Sequence, residues 1–406
     1  MGYIRMKKLL AMFLSLAMTF SLASCSLGNS GSNNSSSSNS SNSGSSTSSS
    51  SSSSSQTEED TFVYDPENQY PGMVSYHEDD PEANLDVEIT STDEITWIVA
   101  CCLQESNPQS LAVKYIGEEL SERTGGKFVW DIFYNSELGS ENEAVELVRN
   151  NTAQFVTSNV TNMPTFLDAF GVFALPYLFH SEVDELTYLS TSEVAADLYQ
   201  QLEDVSNLVT LGFNCTGSRC LSTKGVDQFS SPEELKSMGV KIRSMEPKVW
   251  QDVISCLGAT PVPVAYTELY TALQTGVVQG QDNPIANTVD GKFYEVLDTF
   301  YENEHCYNVS GYYTNTESWN SLPDDYKALL MGLMEKYMGN YYHEEILKFQ
   351  EESRQIMEDA GVTFVSKDQL DMDAFYASAN AMIEENYMSD PSYVAVIEDV
   401  KAMFNY

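Results

Sequence analysis

The chain carries 20 Lys and Arg against 60 Asp and Glu, so the guanidinium of Arg243, in "KIRSMEP", stands out as a scarce cation at the end of what reads as a buried strand. Its fixed fork of donors suits bidentate binding of a carboxylate, which a lysine cannot copy. That carboxylate could belong to a ligand or to one of the many acids of the chain. From Lys241 to Pro284 the sequence reads as strand, helix closed by Gly258, proline-marked strand, helix closed near Gly276, and a strand ending in Asn283. Ligands of open α/β sheets sit beyond the carboxyl ends of strands, and Arg243 and Asn283 both fall at such ends. Asn283 can donate and accept, and Pro284 keeps it extended; the alternative is an Asn-Pro turn capping the next helix. Signatures of reaction are missing. There is no G-x-S-x-G elbow or phosphate-cradling glycine motif in the folded region, and "HEEIL" at His343 lacks the second histidine of a zincin. Cys215 and Cys220 in "CTGSRC" are too widely spaced for a redox motif. The chain reads as a binder, not an enzyme, with no metal or cofactor implied.

Strands and helices alternate throughout, an α/β pattern. "EITWIVACCL" and "KFVWDIFY" read as strands, and "SLAVKYIGEELSERTGG" as a helix closed by Gly125 or Gly126. Ser140 with Glu143 forms a capping box, and Ser231, Pro232 and Glu234 repeat the helix-start signal. From Pro323 to Ala360 there is no internal proline, so one helix of about 57 Å is expected, long enough to cross two lobes. The alternative is two helices broken near Gly339.

The N-terminus reads as an export signal. Arg5, Lys7 and Lys8 precede an apolar run from Leu9 to Ala23, short for a membrane span. It ends in "LASC", which resembles the lipobox of bacterial lipoproteins and makes Cys25 the lipid-modified residue. Ser26 to Ser55 is almost wholly Ser, Asn and Gly, a flexible coil with an r.m.s. reach of about 30 Å. Acidic sequence continues to about Asp93. A net charge of −40 makes nucleic acid an unsuitable partner. Six further cysteines, Cys101, Cys102, Cys215, Cys220, Cys256 and Cys306, allow fifteen pairings, and free or partly paired thiols are expected.

The ordered run of "GSRCLSTK", "SSPEELKSMGVKIRSMEP", "LGATPVPVAYTELYTALQTGVVQGQDNP", "KFYEVLDTF" and "SWNSLPDDYKALL" resembles the solute-binding proteins of tripartite ATP-independent periplasmic (TRAP) transporters. "NSELGSENEAVELVRNNTAQF" and "FGVFALPYLF" agree. The resemblance implies a two-lobe periplasmic-binding-protein-like fold around a ligand cleft, with a long helix crossing both lobes. It implies capture of an organic acid and delivery to a sodium-driven membrane transporter; the lipobox and tether place the chain at the outer face of the cell membrane, and a monomer is expected. The organisation expected is a signal peptide over 1–24, tether and acidic linker over 25–93, lobe I over 94–216 with about 309–348, and lobe II over 217–308 with about 349–406.

By resemblance, Arg243 grips the ligand carboxylate and Arg219 of "GSR" is a second family arginine, though its spacing is looser here. Asn283 and Tyr266 border the ligand, the latter as an aromatic wall. Asn159, with Asn162 beside it, stands where relatives carry polar contacts, and Glu246 at a position that can border the cleft; an exposed first-turn glutamate is its alternative. Gln104 and Asn107 are weaker candidates. Gln279 replaces the usual aspartate of "GVVDGQ". Amides together with Glu246 favour a polyhydroxylated monocarboxylate over a C4-dicarboxylate. A binding lipoprotein of another importer, a sensory ligand-binding protein and a surface enzyme are the rival classes. The anchor is directly testable: Cys25→Ser should abolish labelling by a fatty-acid probe, and unchanged labelling would remove the lipobox reading.

Overall fold

The computed structural model describes residues 62–67 and 69–406; Cys25, the signal and the serine-rich tether lie outside the described residues. The first unit comprises β1 (Ile95–Ala100), α1 (Pro108–Arg123), β2 (Phe128–Phe133), α2 (Glu141–Arg149) and β3 (Phe155–Asn159). The α2 cap follows the sequence, whereas the α1 cap, Asn107, was not expected. Asn107 accepts from Gln109 N–H at the start of α1, and Ser140 and Glu143 form the capping box of α2. Two 3-10 stretches, 160–165 and 168–174, lead to α3 (Glu182–Thr191) and α4 (Glu193–Ser206), and then to β4 (Leu208–Thr223).

The Lys241–Pro284 region forms as its pattern predicts: after α5 (Pro232–Met238) come β5 (Lys241–Ser244), α6 (Lys248–Cys256), β6 (Thr260–Pro263), α7 (Tyr266–Thr275), β7 (Gly280–Asn283) and α8 (Ile285–Asp290). Next is the second long strand, β8 (Thr299–Asn315), followed by α9 (Thr316–Ser321), α10 (Asp324–Met334) and α11 (Tyr342–Asp359). β9 (Thr363–Val365), α12 (Met372–Asn386) and α13 (Pro391–Phe404) complete the chain.

All nine strands join one sheet in the order β2-β1-β3-β8-β4-β7-β5-β6, with β9 beside β8. Parallel flanks, β2-β1-β3 and β7-β5-β6, are joined by the antiparallel pair β8 and β4. Each long strand serves one flank with one half: β8 pairs β3 through Ser310–Thr314, and β4 pairs β7 through Cys220–Thr223. Between these halves the register shifts at Cys215/Ser218 and Arg219/Leu221, and the expected boundary at 216/217 falls inside the first of these bulges. Gly217 there has φ +108°, and a Cβ would lie 2.6 Å from Gln350 Nε2, so only glycine fits. α11 grips the bulge: Gln350 Nε2 donates to Thr216 O at 2.9 Å and Tyr342 Oη to Thr216 Oγ1 at 3.1 Å.

The long helix is neither an unbroken α-helix nor two helices. Residues 335–341 wind as a π-helix between α10 and α11, with helical backbone angles at Glu335 and Tyr342. The rod absorbs the looser turn at Gly339 instead of breaking. The six cysteines are free thiols, all buried except the half-buried Cys102.

The acidic linker expected to run to Asp93 is corrected by the structure, because 69–93 is a packed strap. Val74 N donates to Leu211 O at 3.2 Å and Phe213 N to Gly72 O at 2.8 Å. Tyr70 stacks on His343 at 3.6 Å and its N–H reaches Asn340. Of the strap's acids, Asp80 accepts from Trp319 Nε1 and Lys327 Nζ, and the strap's Thr90 and Ser91 donate to Asp325 of α10. His77 lies between Asp80 at 2.9 Å and Glu203 at 2.7 Å, and these two carboxylates raise its pKa to about 9. A histidine raised by its partners contributes stability that is fully present below pH 6.5 and is lost as pH rises through 9. Wild type should therefore lose ~2 kcal/mol of unfolding free energy between pH 6 and pH 9.5 that His77→Gln does not lose. Parallel denaturant profiles of the two proteins across that range would contradict the assignment.

Candidate ligand-binding site

β5 lies between the parallel strands β6 and β7, so its carboxyl end opens where α6 and α7 begin. Arg243, one residue from that end, is only 4% exposed. Its Nε donates to Val264 O at 2.8 Å. Among the described residues, no hydrogen bond or ion pair engages its two terminal nitrogens. Burial lowers its pKa to about 10, with Arg219 pushing the same way and Asp282 opposing. A guanidinium in this state keeps its charge at neutral pH and presents an open fork.

Arg219, immediately after the β4 bulge, has the opposite arrangement. Its Nε donates to Asp282 Oδ2 at 2.9 Å, Nη2 to Asp282 O at 2.5 Å and Nη1 to Asn308 Oδ1 at 2.5 Å. The plane lies over the Trp250 ring at 4.7 Å. Three of its five N–H donors are thus committed within the protein. Burial alone would raise the Asp282 carboxyl, but Arg219 and His305 hold it at about 2. His305 Nε2 lies 3.2 Å from Asp282 Oδ2, and its Nδ1 lies 3.2 Å from Asn303 Nδ2. An amide nitrogen only donates, so Nδ1 is the acceptor and the proton sits on Nε2. Burial lowers the His305 pKa, leaving a neutral ring.

The remaining candidates divide. Asn159 closes β3; its Nδ2 donates to Asn308 Oδ1 at 2.6 Å, and its Oδ1 accepts from Thr161 N at 3.0 Å, capping the next turn. Asn308 therefore joins Asn159 to Arg219. Asn283 is 3% exposed and turns its Nδ2 to Gln281, which in turn donates to Ser222 and Thr288. It caps nothing, because α8 has no side-chain cap. Tyr266 opens α7, donates to Asn287 O at 3.1 Å and packs its edge on Phe293. Gln279 does supply a hydrogen bond where an aspartate was expected, its Oε1 accepting from Lys241 N at 2.9 Å. Glu246 is exposed and accepts from Asn142 Nδ2 at 3.3 Å. Asn162 is buried next to Glu141. Gln104 and Asn107 meet Asp290.

Sequence reasoning missed Glu141, Asp282, His305 and Asn308. Glu141 begins α2, and its carboxylate takes the Asn159 N–H and faces Arg243; burial pushes its pKa up while that N–H and Arg243 pull it down. Its place directly after the Ser140 cap was the available signal, read only as helix-start chemistry. Asn308 sits in mid-strand with no motif around it. The result is an open guanidinium among amides, hydroxyls and carboxylates. Such an arrangement can accept one carboxylate and hydrogen-bond hydroxyl groups, and among the described residues it pairs no nucleophile with a base.

The profile of a family of bacterial extracellular solute-binding proteins, family 7 (DctP), matches residues 99–390. A solute-binding protein of Roseobacter denitrificans is 29% identical over 294 residues, covering 72% of this chain and 87% of that protein. The C4-dicarboxylate-binding periplasmic protein DctP of Rhodobacter capsulatus is 30% identical over 251 residues, covering 61% and 72% respectively. In structure, the chain is similar to a TRAP periplasmic solute-binding protein of Chromohalobacter salexigens solved with bound D-glucuronate: TM-score 0.70, 24% identity, 75% of this chain and 99% of that one. The α/β architecture is that of these two-lobe binding proteins, and the length and position of the profile match place the chain in bacterial extracellular solute-binding protein family 7.

Proposed function

We propose that this chain captures a polyhydroxylated monocarboxylate, a uronate or an aldonate, and delivers it to the membrane subunits of a sodium-coupled TRAP transporter while anchored through a lipid on Cys25. The observation that carries this reading is the open fork of Arg243, buried yet without a protein acceptor at its terminal nitrogens among the described residues. A guanidinium set this far back from bulk water gains by acquiring an ionic partner, and a ligand carboxylate fits that fork bidentately.

The relatives divide between sugar acids and dicarboxylates, and the neighbouring charges favour the former. A second ligand carboxylate needs a second available cation, whereas Arg219 is neutralised by Asp282. Glu141 faces the same space and repels a further anion. Asn159, Asn283 and Tyr266 supply polar edges and an aromatic wall for a hydroxylated carbon chain. Glu246, at the exposed rim, would read the far end of a longer ligand. The two flanks of the sheet act as lobes that close on the ligand, because only the closed form gives it contacts to both.

Arg243→Lys keeps the charge but loses the fork, so calorimetry should show ligand affinity falling roughly 10²-fold or more. Affinity within threefold of wild type would make Arg243 structural. The ligand class is decided by titrating a panel of sugar acids beside succinate, malate and fumarate. At least one sugar acid should bind about 100-fold more tightly than any dicarboxylate, because buried groups left unpaired penalise the wrong ligand. Tighter binding of a dicarboxylate than of every sugar acid would reject the assignment.

A further inference from the structure

Gln104 and Asn107, in the segment between β1 and α1, both turn to one residue on the other flank of the sheet. That residue is Asp290, the last of α8. Gln104 Nε2 donates to Asp290 O at 2.7 Å. Asn107 is 3% exposed; its Oδ1 is held by Gln109 N–H at 3.0 Å, and its amide faces the Asp290 carboxyl. Burial pushes that carboxyl up to about 6, and Asn107 draws it back.

Both sides of this contact are rigidly mounted. Asn107 is the cap of α1. α8 follows β7 through Pro284, and the Tyr266 hydroxyl ties Asn287 O to the start of α7. The contact therefore joins the β2-β1-β3 flank to the β7-β5-β6 flank without needing a ligand between them.

We propose that Gln104 and Asn107 clasp Asp290 when the cleft shuts, as positioning residues that slow ligand release. The inference rests on the binding function proposed above. A bond present whenever the cleft is shut shifts the open–closed equilibrium by its own free energy, in ligand-free as in ligand-bound protein. Because it is made between protein groups, it favours closure by the same factor for every ligand, whereas a ligand contact would discriminate among ligands. It also leaves the encounter of ligand with the open cleft untouched, so its effect falls on release.

Gln104→Glu keeps the length but sets an acceptor against the Asp290 carbonyl, and Asp290→Ala removes the carboxyl but keeps that carbonyl, so the two variants break different halves of the clasp. Stopped-flow measurements on the full chain with D-glucuronate and D-galacturonate should show release about tenfold faster in each variant. Association should be unchanged within about twofold, and the factor should be equal for the two sugar acids. A change confined to one sugar acid would make Gln104 a ligand contact and overturn the clasp, as would unchanged release of both. If neither sugar acid binds wild type, the assignment of ligand class fails on its own. The clasp is then decided by hydrogen exchange in ligand-free protein: amides of 287–291 should exchange faster in both variants, and unaltered exchange there overturns it.

Discussion

The ion pair of Asp282 with Arg219 governs what the rest of the site can do. Neither side chain reaches solvent, so each charge depends on the other to offset its lost hydration. Removing one partner of such a pair typically costs about 3–5 kcal/mol, because an uncompensated charge stays behind. The pair spans β4 and β7, and through Asn308 and His305 it also engages β8. It thereby fixes the part of the sheet where the long strands change partners. It also decides which arginine is available. Asp282 occupies one guanidinium, and Arg243, anchored by a single bond to Val264, keeps its fork open.

An acidic protein that captures an acid works against its own long-range field, so affinity must come from donors at close range. Burial strengthens those contacts by removing competing water, and it raises the penalty for every donor left unpaired. Arg243 is placed to use the first effect while its environment limits the second: its Nε is satisfied, and Asp282 and Glu141 supply partial compensation. The same carboxylates are the negative charges that a second carboxylate beside Arg243 would meet.

Local rules made much of the fold legible in the sequence. The Ser140 capping box, the Ser231 start of α5, the proline-marked β6 and the Gly276 end of α7 all follow from chemistry within a few residues. What stayed hidden depends on distant partners. The strap at 69–93 looked solvated because the groups that hold it, Leu211, Trp319, Lys327 and Asp325 among them, lie far along the chain. The π-turn over Glu335–Tyr341 had no signal in the sequence, which offered an unbroken helix or a break near Gly339. Arg243 could be singled out at a strand end, but that Arg219 would be neutralised and that Asn308 would hold it required knowing the register of β4 against β8.

The pairing of β3 with β8, which sets Phe155 beside Thr314, also governs the order in which the molecule can be made. The centre of the sheet is incomplete until residue 315 is available, and the strap waits still longer for partners on α10. Contacts so distant in sequence pay their loop-closure entropy before any reward, which slows folding. The first half of the nascent chain therefore lacks the strand that completes the sheet until β8 has been made.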